Sequence, residues 1–201
     1  MSVELPLPPP QSISPQKSPH RLRDIALAAA KLRADPWEKF HIDKIPAELV
    51  RRHRYSPSTG TWIHDESIVK IEHVPFDRGA QRQVYRMKKI SQAPTAHWSM
   101  LDWSKAPNYV AKCYITPDGG FNMNPSHREE VYNDIKHQYE AAHWAEEFNQ
   151  ANPPKKIIVI QCYVIEFINR PGSPVLGCER YVDGHDKYGE GFVKHNSNSG
   201  V

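Results

Sequence analysis

Cysteine is scarce in this chain, with three residues among 201. Cys113, Cys162 and Cys178 are odd in number, widely spaced and outside any CxxC, which excludes a disulfide framework and a zinc ribbon. That pattern fits a reducing, cytoplasmic compartment. Long hydrophobic runs are lacking too. The richest stretch, Ile157 to Phe167, is interrupted by Gln161 and Glu166, far short of the roughly 18 apolar residues of a membrane helix. Charge of one sign is missing: 26 Lys and Arg against 23 Asp and Glu leave a net charge of +3. So small and mixed a charge argues against a nucleic-acid binder held by electrostatics. The N-terminus, MSVELPLPPP, has no apolar core for a secretory signal. Eleven histidines are present, but no HxxxH or HExxH occurs, and His137 and His143 fall off one helical face, so no metal site is expected.

Proline is abundant at the start, where residues 1–20 carry six of the 18. Leu5-Pro6-Leu7-Pro8-Pro9-Pro10 is a polyproline-type run that builds no core, and the segment is read as a disordered tail. Residues 20–33, HRLRDIALAAAKLR, predict a helix ended by Asp35-Pro36. Its apolar residues Leu22, Ile25 and Leu32 share one face amid Arg21, Arg23, Lys31 and Arg33. Two readings stand: a calmodulin-target-like helix, and a helix that docks on the following domain. From Trp37 onward the chain reads as globular, giving a tail at 1–20, a basic helix at 21–34 and a domain at 35–201.

Within that domain the pattern predicts a short helix over 45–54 and strands over 67–74 and 82–88. A third strand covers 108–116 and a last one 175–182. Residues 126–149 predict a helix, with Ser126 and Glu129 as a capping box, Val131, Ile135, Tyr139 and Ala142 as a core stripe, and Asn152-Pro153-Pro154 as its stop. Residues 155–168 are apolar on both faces and predict a long central strand. The fold class expected is α+β: a mostly antiparallel sheet with one crossover helix.

Lys112 is the first candidate for chemistry. A lysine in mid-strand among apolar neighbours, near a glycine loop, is how kinases hold nucleotide phosphates; a solvent-facing strand lysine is the plainer alternative. Such a lysine is paired with a helix glutamate, for which Glu140, in the middle of the predicted helix, is the choice. The loop Phe76-Asp77-Arg78-Gly79-Ala80-Gln81-Arg82 would bring backbone amides near Gly79 towards phosphate, with Arg78 or Arg82 adding charge.

Seven segments make the sequence familiar: DPWEKFH (35–41), RHRYSPSTGTW (52–62), PFDRGAQR (75–82), NYVAKCYI (108–115), AAHWAEEFN (141–149), ERYVDG (179–184) and FVKHNSNSG (192–200). In this order they resemble the elongation factor 2 kinases of the alpha-kinase family, whose N-terminal lobe and preceding regulatory segment the chain would cover. The resemblance implies an ATP-dependent serine/threonine kinase. Lys112 would be its phosphate lysine and Glu140 the partner. Glu179 and Val182 would lie in the adenine-binding segment, and Arg78, Gly79 and Ala80 in the phosphate-side loop. It also implies calmodulin binding through Leu22, Ile25, Leu27 and Leu32, elongation factor 2 as substrate, and neither nucleic acid nor membrane as partner. The family's magnesium ligands and zinc site would belong to a C-terminal lobe incomplete here, so the chain alone is expected to be inactive. A non-catalytic module binding calmodulin or elongation factor is the alternative expectation.

Overall fold

In a computed structural model, residues 35–90, 101–115 and 126–182 are described. The tail, the basic helix with Leu22, Ile25, Leu27 and Leu32, and residues 183–201 lie outside them, as does the side chain of Ser126. The chain divides into two units, Met1–Asp35 and Pro36–Val201; the described strands and helices all belong to the second.

Seven strands follow in order: β1 (Glu48–Ser56), β2 (Thr61–Ile71), β3 (Asp77–Arg78), β4 (Arg82–Ile90), β5 (Asn108–Tyr114), β6 (Cys162–Glu166) and β7 (Val175–Arg180). They form one sheet in the order β2-β1-β6-β7-β5-β4-β3, and an additional β2–β4 pairing closes the first six into a barrel. Each pair is antiparallel. Closure removes exposed sheet edges and gives every strand an inner and an outer face. Val50, Val69, Ile71, Tyr85, Met87, Ala111, Ile165, Phe167 and Leu176 fill the inside, each at most 1% exposed. Burying one such aliphatic side chain stabilises the fold by roughly 1.5–3 kcal/mol.

The short helix expected over 45–54 is instead β1. Its run Ala47-Glu48-Leu49 with three arginines suits a helix by local preference, but the segment is paired along both edges, with β2 from Glu48↔Val69 to Ser56↔Thr61 and with β6 around Arg52↔Ile165. Pairing on both sides, with Val50 wholly buried, overrides a propensity of tenths of a kcal/mol per residue. The β1–β2 turn closes through Gly60, at φ 66°, whose N–H donates to Ser56 O at 2.8 Å.

The long strand expected over 155–168 shrinks to the five buried residues of β6. Before it, Ile157, Ile158 and Ile160 are exposed. Their backbone is held by helix side chains rather than by a strand: Asn149 bonds both N–H and C=O of Ile157 (2.9 and 2.7 Å), and Gln138 Nε2 donates to Ile160 O at 2.8 Å. Apolar content without a pairing partner misled the sequence reading there.

The expected helix is α1 (Ser126–Gln150), which lies on the outside of the barrel. Val131 and Ile135 pack on Cys162, Val164 and Val175. Further round, Ala145 is the buried alanine and Ala142 only partly so. A glycine brings the helix close: a Cβ on Gly177 would stand 3.4 Å from Ile135 Cδ1. The neighbouring stretch of outer wall carries another cluster, Trp37, Ile42 and Val110 with Phe40 and Tyr181. Among the described residues no helix is long and apolar enough to cross a membrane.

Candidate functional site

Strand β5 alternates Ala111 and Cys113 inward with Val110, Lys112 and Tyr114 outward. Lys112 therefore lies on the outer wall beside α1. Its Nζ donates to Glu179 Oε1 on the adjacent strand β7 at 2.6 Å, with both side chains partly buried. A charge-assisted bond of this length fixes the ammonium in place, and its remaining hydrogens stay available to an anion.

The expected Lys112–Glu140 pair is not formed. Glu140 lies nine residues beyond Val131, which at 100° per residue puts it about 180° round from that inward-facing side chain. It approaches Lys136 Nζ at 3.9 Å on the exposed face, 42% of each side chain being accessible. The carboxylate that meets Lys112 comes from β7, a residue the resemblance had placed at the adenine. Pairing at Val110↔Glu179 and Lys112↔Gly177 decides this, since it makes the two side chains diagonal neighbours on one face.

Two further charged residues border the same cleft: Arg82, one of the two arginines the sequence offered to phosphate, and Asp134, to which sequence reasoning gave no place. Arg82 begins β4 and stands opposite Tyr114. Its Nη2 lies 3.2 Å from Asp134 Oδ2 on α1, and the Tyr114 hydroxyl donates to that same oxygen at 2.7 Å. The Arg82 guanidinium sits 5.3 Å from the centre of the Tyr114 ring. Burial, then the bond to Asp134, raises the Tyr114 pKa. The signal in the sequence was the arginine closing PFDRGAQR, which only strand pairing sets beside Lys112.

Arg78, at the end of β3, and Gly79 and Ala80, in the turn to β4, are exposed. Gly79 N–H donates to Arg82 O at 2.8 Å, and Asp77 Oδ1 accepts from the N–H of Arg78 at 2.8 Å. Gly79 has no left-handed φ, and a Cβ there would meet Arg82 O at an ordinary 3.7 Å. Val182, 43% exposed, is two residues past β7. Cys162 lines the cleft as well, and burial, then the Glu179 charge, pushes its thiol up to about 12, so it is no nucleophile.

The cleft lined by Arg82, Lys112, Tyr114, Asp134 and Glu179 measures about 50 Å³. That suits a phosphate group, whereas a whole ligand needs roughly 300 Å³ or more. A cavity of about 410 Å³ further along α1, lined by Pro57, Tyr139, His143, Ile160 and others, presents no lysine or arginine. The smaller cleft, unlike the larger, brings two cations together, each met by a carboxylate, Glu179 for Lys112 and Asp134 for Arg82. No group of three metal-ligating side chains converges among the described residues.

The alpha-kinase family model matches residues 77–201. This chain is a member of the alpha-kinase family. It is 39% identical over 175 residues to human eukaryotic elongation factor 2 kinase, covering 87% of this chain and 22% of that protein. The Caenorhabditis elegans elongation factor 2 kinase is 39% identical over 166 residues, covering 83% and 19%. Myosin heavy chain kinase B of Dictyostelium discoideum is 32% identical over 157 residues, covering 77% and 18%. The chain thus spans about a fifth of the length of the curated relatives it matches. Among solved structures, the alpha-kinase domain of myosin heavy chain kinase A in complex with AMP superposes with a TM-score of 0.53 at 22% identity, covering 75% of this chain and 70% of that one. The fold is that of an alpha-kinase domain, and the antiparallel sheet with one helix corresponds to part of its N-terminal lobe.

Proposed function

We propose that this alpha-kinase segment supplies the nucleotide-phosphate site of an ATP-dependent serine/threonine kinase. In this reading Lys112, oriented by Glu179, grips the phosphates, and Arg82 stands beside it as a second cation. The single observation that carries the reading is the 2.6 Å Lys112–Glu179 pair on the outer wall, next to another guanidinium in the same cleft. The two cations offset phosphate charge, a contribution phosphoryl transfer needs while the γ-phosphoryl is in flight. Crystal structures of myosin heavy chain kinase A with AMP and with ADP support nucleotide binding in the fold.

The adenine edge would run along the backbone around Glu179 and Val182, and the turn at Arg78, Gly79 and Ala80 would close over the phosphates. The similarity to elongation factor 2 kinases supports elongation factor 2 as the protein substrate. In the same reading calmodulin acts through the basic segment bearing Leu22, Ile25, Leu27 and Leu32, in a cytoplasmic setting. Magnesium would accompany ATP; among the described residues no group of three acidic, histidine or cysteine side chains converges, and no step is derived through the ion.

The test is phosphorylation of elongation factor 2 by the full natural protein, with and without calcium–calmodulin. Wild type is expected to transfer phosphate in a calmodulin-dependent way, and Lys112→Met to be at least about 100-fold slower, as loss of a preorganised phosphate cation implies. Undiminished transfer by Lys112→Met would overturn the assignment.

A further inference from the structure

The outer face of β4 and β5 places Arg82 and Tyr114 side by side, and α1 lowers Asp134 onto both. Asp134 Oδ2 is shared: it receives the Tyr114 hydroxyl at 2.7 Å and faces Arg82 Nη2 at 3.2 Å. The Tyr114 ring is itself held, with the His127 imidazole stacked at 5.3 Å between centroids and 14° between planes. His127 in turn contacts Glu130 Oε2 at 2.6 Å through Nδ1. The guanidinium of Arg82 is thereby tied to a carboxylate below and an aromatic face beside it.

An arginine side chain carries on the order of 2 kcal/mol of rotamer freedom when loose. A ligand that recruits an untethered arginine must offset that freedom, whereas one meeting a fixed guanidinium does not. Asp134 engages one nitrogen of the fork, and the guanidinium has five N–H donors in all. Arg82 side-chain accessibility is 43%, so part of the fork is open to solvent, and Arg82 lines the same cleft as Lys112.

We propose that Asp134, assisted by Tyr114, is a positioning residue that preorganises Arg82 for the distal phosphates of the nucleotide, so that this cluster sets the preference for ATP over nucleosides lacking those phosphates. The inference rests on the phosphate-site reading of Lys112. Asp134 does not touch the nucleotide; it acts through Arg82. In this arrangement the helix contributes its carboxylate to the second cation, while Lys112 takes its own partner from β7.

The experiment measures equilibrium binding of ATP and of adenosine to the full natural protein, as wild type, Asp134→Asn, Asp134→Glu, Tyr114→Phe and Lys112→Met. Asp134→Asn is expected to weaken ATP about tenfold, the scale of one charge-assisted contact, and to change adenosine less than about twofold. Asp134→Glu is expected to recover most of the ATP affinity, and Tyr114→Phe to weaken ATP about threefold. Equal loss of ATP and adenosine affinity in Asp134→Asn would show a merely structural role and overturn the inference. So would ATP binding unchanged in Asp134→Asn while Lys112→Met abolishes it. If Lys112→Met binds ATP as wild type does, the phosphate-site reading itself fails, and this inference with it.

Discussion

The two faces of the barrel wall use the same strands for opposite ends. Within β5, Ala111 and Cys113 point inward and are at most 2% exposed, while Lys112 and Tyr114 point outward and carry a charge and a hydroxyl into a cleft. Along β7, Leu176 and Cys178 are buried in the core and Glu179 meets Lys112 outside. One residue of register separates stability from chemistry. The inner face holds the wall rigid; the outer face, overlaid by α1, inherits that rigidity for groups that must be fixed to within fractions of an ångström. A charged pair is tolerated there because it stays partly solvated, whereas a charge moved inside would meet a closed apolar core.

That contrast is open to attack by substitution. The largest effect on stability belongs inside: Ile165→Ala, at a fully buried position, is expected to cost about 2–5 kcal/mol in urea unfolding, whereas Lys112→Met changes it by less than about 1 kcal/mol. Comparable losses from both would dissolve the division of labour. Next is the seam between wall and helix. Gly177 leaves room for Ile135 at 3.4 Å, so Gly177→Leu would wedge α1 away. We expect a loss of about 1–3 kcal/mol, together with weakened nucleotide binding, because Asp134 rides on the displaced helix. Calorimetry that finds the stability unchanged would mean that the close approach is incidental.

An effect confined to alkaline pH comes from Lys89, a charge buried on the inner face. It is 1% exposed, 5.0 and 5.1 Å from the ring centres of Tyr109 and Tyr163, and burial, then the nearby Arg52 charge, pulls its pKa down to about 8. An unfolded lysine titrates near 10.4, so below pH 8 both states carry the proton and the cost of burying it stands in full. Between these values the unfolded chain holds more protons, so stability rises with pH. The rise between pH 7.5 and 10 should be roughly 2–3 kcal/mol and should vanish in Lys89→Met. Unfolding curves from pH 7.5 to 10 that are parallel for the two proteins would contradict it.

Most of the domain was legible because its signals are local. Asn152-Pro153-Pro154 ends α1 near where the sequence places it, Val131 and Ile135 fall on its buried stripe, NYVAKCYI becomes β5, and SIVKIEHV supplies the second half of β2, which starts six residues earlier at Thr61 and ends at Ile71. Lys112 stood out as a lysine among apolar neighbours. Its partner did not, because the choice between Glu140 and Glu179 depends on which strand lies next to β5, a pairing 67 residues distant in the chain. Arg82 was visible as an arginine of the phosphate-side loop, but its place beside Tyr114 and Asp134 was hidden for the same reason, as was Asp134 itself. Strand β1 was misread because arginine and leucine favour a helix until two neighbours bond both edges. The segment before β6 was misread because its isoleucines imitate a central strand while its backbone is bound to Asn149 and Gln138.

The central claim is that Lys112 works with Glu179 and not with a helix carboxylate. ATP affinity of the full natural protein as wild type, Glu179→Gln and Glu140→Gln tests it directly. The geometry predicts that Glu179→Gln weakens ATP by about tenfold or more, because the ammonium loses its charged anchor, and that Glu140→Gln, which removes only an exposed i,i+4 pair, stays within about twofold of wild type. The reverse order, with Glu140→Gln crippled and Glu179→Gln intact, would contradict it.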